Sequence, residues 1–286
     1  MTTLRDDLFA RTGALVTDAD VLGPLLRDGM TIGIGGFGLD RKPMALVRAI
    51  AQSAVKELTV ETYAGGFDIE VLVGMGKIAC LSACHVGLDH FGLAPLFRAA
   101  RESGRVAFKE WSEWSQLAAW RAAAEGVPFA TVMMDTQSDL LRVNPDLAIT
   151  ASPFDGRKAV AIKAPKIDLA ILHADAAHPQ GWALTAGDPY LDTSLARAAK
   201  TVVLSAERRM DDRELEERYR EVHLLASYVD AVVLAPHGAL PGSCLPNYMI
   251  DLPPIRLYVE DSAGGASPVD LIQAILAGLP ADTPAP

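Results

Sequence analysis

The feature that most constrains this chain is the run from Asp28 to Pro43, Asp-Gly-Met-Thr-Ile-Gly-Ile-Gly-Gly-Phe-Gly-Leu-Asp-Arg-Lys-Pro. An apolar strand runs into four glycines and stops at an Arg-Lys-Pro that opens a helix, with Pro43 suited to the first helical position. A strand that turns into a helix through glycines is the working unit of an α/β sheet, where ligands bind outside the carboxyl ends of the strands. Gly33, Gly35 and Gly38 also spell G-x-G-x-x-G. In a dinucleotide site the third glycine lies in the first helical turn, against the pyrophosphate. Here Leu39, Asp40, Arg41 and Lys42 intervene, so the helix starts too late for that mode and nicotinamide binding is not the expectation.

The rest of the chain repeats the alternation. Short apolar runs predict strands near 30–35, 57–63, 78–84, 105–109, 129–134, 158–163, 168–174, 201–205 and 230–235. Helical periodicity falls near 18–27, 43–54, 68–75, 93–103, 113–125, 192–199, 211–226 and 268–278. Such alternation reads as an α/β fold with an open, mostly parallel sheet flanked by helices and joined by right-handed crossovers. Half of the residues are hydrophobic and only 6% aromatic, which suits a buried parallel sheet. The stretch 135–157 lacks periodicity and reads as a long loop. Residues 1–261 are expected to form one domain. Residues 262–286 are expected to add a short helix and a tail ending in a disordered Pro-Ala-Asp-Thr-Pro-Ala-Pro.

A net charge of −10 argues against nucleic acid and anionic membrane surfaces as partners. No stretch has the length of a membrane span and no leader pattern opens the chain, so a cytoplasmic location is expected. Cys80, Cys84 and Cys244 are odd in number and lack metal spacing, so buried free thiols are expected, with no metal site.

Several residues carry possible chemistry. Consecutive amides of Gly35, Gly36, Phe37 and Gly38 suit an oxygen that gathers negative charge. Arg41 and Lys42 stand at a helix N-terminus, where the macrodipole disfavours bare cations, which suggests an anion held beside them. Lys163 and Lys166 are further candidates for a basic patch. Glu110 and Glu113 lie where a strand gives way to a helix. With Ser112 as N-cap, Glu113 falls in the first turn, where the dipole favours its ionised carboxylate, suited to attack a carbonyl or activate water. Glu207 follows a strand and is placed near the cleft. His85, His90, His173, His178 and His237 read as core, surface or turn residues. The charged run Asp211–Arg220 reads as a solvated helix face.

Asp28-Gly29, Gly35-Gly36-Phe37 and Pro43 resemble the first signature of family I coenzyme A transferases, with two departures: Gly33 interrupts the apolar triplet and Arg41 replaces a usual glycine. The variant Asp40-Arg41-Lys42-Pro43 is similar to the alpha subunit of the glutaconate-type branch. So are Gly126–Phe129, Val160–His173, His178–Gly181 and Val229–Gly238, and the likeness covers most of 18–260. The resemblance implies a CoA-transferase-like fold and one half of a heteromeric enzyme, a heterodimer or heterotetramer with a beta subunit. It implies CoA as co-substrate, an acyl-CoA and a small carboxylic acid as substrates, and no permanently bound cofactor. In that branch the covalent glutamate lies on the beta subunit in a Ser-Glu-Asn-Gly-like context, and no such tetrapeptide occurs here. The chain also resembles the alpha subunits of steroid ring-cleaving acyl-CoA hydrolases, whose working glutamate matches Glu113. That branch implies Glu113 as the base for water.

Overall fold

The structure, a computed structural model, describes residues 15–278. Fourteen strands are found there: β1 Leu15–Thr17, β2 Thr31–Phe37, β3 Leu58–Gly65, β4 Ile78–Ala83, β5 His85–Val86, β6 Ala107–Glu110, β7 Phe129–Val132, β8 Leu147–Ala151, β9 Lys158–Lys163, β10 Ile167–Ala177, β11 Ala183–Leu184, β12 Ala199–Arg209, β13 Val222–Leu224 and β14 Ala231–Leu234. The main sheet has the order β1-β14-β12-β10-β2-β3-β4-β6, parallel at every step. From β2 the chain winds one way through β3, β4 and β6, and β10, β12 and β14 lie on the other side. The order therefore reverses between β2 and β10, where an open α/β sheet leaves a crevice at its carboxyl edge. The glycine loop leaves β2 at that point.

The glycines of β2 have a packing reason. A Cβ on Gly33 would meet the Leu195 side chain at 2.5 Å, and one on Gly35 would meet Asp192 at 2.5 Å. Both neighbours belong to the helix Asp192–Ala198, which lies directly on the strand. Larger residues here would push that helix off the sheet.

Two cores flank the sheet. One gathers Leu46, Val47 and Ile50 of the helix Met44–Gln52 with Ile32, Ile34, Val60 and Leu81. The other gathers Trp120, Leu172, Leu195 and Leu204. A small antiparallel sheet, β7-β9-β8, packs beside the helix Glu113–Ala124.

The structure corrects four expectations. The stretch 18–27 forms a 3-10 helix, Ala19–Leu25, because Pro24 lies inside it. The stretch 135–157 holds a helical turn, Leu140–Val143, and β8. The helix expected over 211–226 ends at Arg218, and Val222–Leu224 instead pairs with β11, burying Leu224. The boundary at 261 falls inside a helix, Leu252–Ala263, whose first turn holds Pro253 and Pro254, where prolines are tolerated. The helix Pro268–Gly278 follows, with Ile272 buried in the main core. Residues 280–286, read as a disordered end, lie outside the described residues. Among the described residues no helix is long and apolar enough to cross a membrane.

Candidate active site at the carboxyl edge

The glycine loop is held from three directions. Gly36, at φ +71°, donates its N–H to Asp192 Oδ1 at 2.9 Å. Phe37 N–H donates to the Asp40 carbonyl at 2.9 Å, and Gly38 N–H to the Ala64 carbonyl at 3.0 Å. These three amides are engaged within the chain, which corrects their expected role as donors to a substrate oxygen. The loop must turn tightly enough for Asp40 to reach back to Phe37, and that closes its amides on itself. Gly35 and Gly36 are buried, Gly38 is half-buried and the Phe37 ring is exposed.

Arg41 and Lys42 have anions beside them, but the protein's own. Arg41, at φ +52°, is 1% exposed; its Nη1 donates to Asp192 Oδ2 at 2.6 Å and to the His173 carbonyl at 2.8 Å, and its Nη2 to the Asp188 carbonyl. Burial pulls this guanidinium's pKa down, and Asp192 more than reverses the effect, leaving it raised. Lys42 Nζ donates to Thr62 Oγ1 at 2.9 Å and faces Asp68 Oδ2 at 3.3 Å. Burial lowers its pKa, with Asp68 opposing. Both cations thus brace the loop from beneath and neither faces the crevice as a free charge. Lys163 and Lys166 are exposed at the amino end of β10. From Ile167 the strand runs roughly 20 Å to His173, whose carbonyl meets Arg41, so they form no patch with Arg41.

Ser243 and Tyr190 complete the brace. Ser243 Oγ donates to Asp40 Oδ1 at 2.6 Å, and the Tyr190 hydroxyl to Asp40 Oδ2 at 2.8 Å. The Tyr190 ring stacks on Phe37 at 5.2 Å. Phe37, Gly38, Asp40, His85, Tyr190 and Ile250 border a hollow of about 230 Å³.

Glu113 opens the helix Glu113–Ala124, as expected. Ser112 caps it, its Oγ accepting the Ser115 N–H at 3.2 Å while Ser115 Oγ accepts the Ser112 N–H. The Glu113 side chain is exposed. Its charge reaches Tyr63 and Cys84, both at about 12; burial is the larger cause for each and Glu113 the next. Glu110 is exposed too, and its carbonyl accepts from Asn144. The arrangement offers an exposed carboxylate whose charge reaches the Tyr63 phenol, while the Cys84 thiol is taken up by the Tyr63 carbonyl at 2.7 Å.

Glu207 lies away from Glu113. It accepts from the His237 N–H at 2.6 Å and from the Tyr248 hydroxyl, and pairs with His173 Nε2 at 2.7 Å. Burial raises its pKa, but these partners overcome that and leave it lowered. His173 Nδ1 meets Ser205 Oγ at 2.8 Å. With Cys244 nearby, the set ties β10 and β12 to the segment carrying Ser243. His178 pairs with the exposed Asp212 at 2.9 Å. Local sequence gave no sign of Asp192, Tyr190, Tyr63 or Ser243. Each reaches the site through contacts with residues remote in the chain.

A model of the coenzyme A transferase family matches residues 17–235. The chain belongs to the coenzyme A transferase family. The alpha chain of the glutaconate CoA-transferase of Acidaminococcus fermentans is 30% identical over 261 residues, covering 85% of this chain and 82% of that protein. The crystal structure of that enzyme superposes with a TM-score of 0.81 at 28% identity, over 92% of this chain and 93% of the other. The cholesterol ring-cleaving hydrolase IpdA subunit of Rhodococcus jostii is 37% identical over 230 residues, 77% of each chain. The decarboxylase AibA/AibB also superposes, at a TM-score of 0.83 and 28% identity, over 91% and 97%. The coenzyme A transferase-like fold and the alpha-subunit relationship expected from the glycine signature are thus established.

Proposed function

We propose that this chain is the alpha subunit of a heteromeric CoA-transferase, moving CoA between an acyl-CoA and a small carboxylic acid. The carrying observation is the near full-length likeness to the glutaconate CoA-transferase alpha chain in both sequence and fold. On this reading a partner beta subunit supplies the nucleophilic glutamate, which attacks the thioester to give a mixed anhydride and CoA thiolate. The thiolate returns to make a glutamyl-CoA thioester, and the acceptor acid collects the CoA. This chain contributes the walls: Phe37, Gly38 and Tyr190 around the hollow, held by Asp40, Arg41 and Asp192. Lys42 steadies the same loop through Thr62.

Glu113 supports a second reading. It is an exposed carboxylate on a first helical turn whose charge reaches the Tyr63 phenol, and the ring-cleaving hydrolase subunit is 37% identical. Here Glu113 takes a proton from water and the hydroxide adds to a ring carbonyl. The adjacent C–C bond breaks, and the carbon that leaves with the electron pair takes the proton back, opening the ring of a cyclic acyl-CoA.

The test is the two-chain complex, this chain co-purified with its beta-type partner, given acyl-CoA with and without an acceptor acid. CoA appearing on the acceptor supports transfer. Ring opening without acceptor dependence, lost in Glu113→Gln, supports the hydrolase. Release of carbon dioxide in place of either refutes both, since the fold is shared with a decarboxylase.

A further inference from the structure

The amides of Gly36, Phe37 and Gly38 are engaged within the chain, so the hydrogen bond a reacting carbonyl needs must come from another group. One phenol lies beside this loop. Tyr63 lies near the carboxyl end of β3, level with Cys84, whose N–H and thiol donate to the Tyr63 carbonyl at 3.2 and 2.7 Å. The helix that begins at Glu113 is fixed over it. The Gln116 amide donates to the Thr62 carbonyl at 2.9 Å, and the Trp120 ring lies 6.4 Å from that of Tyr63. Glu113, Gln116 and Trp120 follow at i, i+3 and i+7, so Glu113 shares the face turned towards Tyr63. On its other side the Tyr63 ring lies 6.0 Å from Phe37 of the glycine loop. The phenol is half-buried and its hydroxyl makes no hydrogen bond among the described residues. Burial, then the Glu113 charge, push it to about 12, so it stands as a donor at neutral pH.

We propose that Tyr63 is a catalytic residue whose hydroxyl donates a hydrogen bond to the carbonyl oxygen of the bound acyl-CoA thioester. This rests on the acyl-CoA reading above. When a carboxylate oxygen attacks the carbonyl carbon, the new C–O bond forms and the C=O π pair moves onto oxygen. When the C–S bond breaks, that pair re-forms the carbonyl and CoA leaves as thiolate. The phenol keeps its proton throughout. Its bond tightens as charge gathers on the oxygen, and it therefore acts on the transition state more than on bound substrate.

The test is Tyr63→Phe in the complex with the beta-type partner. Because the hydroxyl has no partner among the described residues, the melting temperature is expected to stay put. The expected kcat falls by roughly 10²–10³-fold, the effect of removing one oxyanion donor, with little change in KM. A binding readout goes with it. A ketone analogue of acyl-CoA, with methylene in place of sulfur and a ¹³C-labelled carbonyl, should show a lowered infrared C=O frequency on wild type that reverts on the variant. A kcat within about threefold of wild type, against that expectation, or an unmoved carbonyl band, overturns the proposal. So does a melting point more than about 4 °C lower, which would reveal a structural partner. A wild-type complex that neither transfers CoA nor hydrolyses acyl-CoA strikes the acyl-CoA reading itself. An active wild type with an unimpaired variant strikes Tyr63 alone.

Discussion

Replacing Asp192 by asparagine is expected to destabilise the chain and loosen the glycine loop together. The Asp192 carboxylate is nearly fully buried and serves two donors, Gly36 N–H at 2.9 Å and Arg41 Nη1 at 2.6 Å. Asparagine keeps one carbonyl oxygen for a single donor and turns an NH₂ towards the other. The guanidinium is then left buried with carbonyls but no counter-charge, and breaking a buried pair in this way costs about 3–5 kcal/mol. Arg41→Met should cost a similar amount, because it strands the carboxylate instead. The double variant leaves neither charge unpaired. Its loss should fall short of the summed single losses by about 2 kcal/mol or more. Equilibrium urea denaturation followed by circular dichroism measures all three. Amide hydrogen exchange at residues 36–41 reports the loop directly and should speed up in Asp192→Asn. A single-variant loss below about 0.5 kcal/mol, with additive energies and unchanged exchange, would refute the reasoning.

Two further outcomes follow from buried carboxyls. Burial lifts Glu61 from 4.5 to about 7, with Lys109 opposing. Its folded pKa is above its unfolded one, so stability falls as pH rises from about 4.5 to about 7. At 1.36 kcal/mol per tenfold the loss is about 3 kcal/mol. Glu61→Gln should flatten that dependence between pH 5 and pH 8 in urea denaturation, and an equally steep profile would count against it. Glu70 accepts the Leu96 and Phe97 N–H groups at 2.9 and 2.7 Å, and the Tyr258 hydroxyl as well, so it ties three helices together. Tyr258→Phe withdraws one donor from a buried carboxyl and should cost about 1–3 kcal/mol; a loss under about 0.5 kcal/mol would show that the hydroxyl is dispensable.

The alternation of short apolar runs with helical periods was legible because a parallel sheet needs it, and nine strands lie where the patterns placed them. Ser112 and Glu113 were legible too, since capping chemistry is local. What sequence could not supply was long-range. Arg41 and Lys42 read as binders of an external anion because their partners, Asp192 and Asp68, lie 151 and 26 residues away. Gly35 read as part of a ligand loop, yet a helix packs on it, and nothing local announces which residue will cover a strand. The helix Leu252–Ala263 hid behind Pro253 and Pro254, which look like breakers and serve as a start.

The central claim is that acyl-CoA reacts at this carboxyl edge with a nucleophile from a second chain. Intact-mass analysis of the two-chain complex, quenched during turnover with acyl-CoA, tests it most directly. A CoA-mass adduct on the beta-type partner, with this chain unmodified, is the predicted result. An adduct on Glu113, or turnover with no adduct and no need of an acceptor acid, would contradict it.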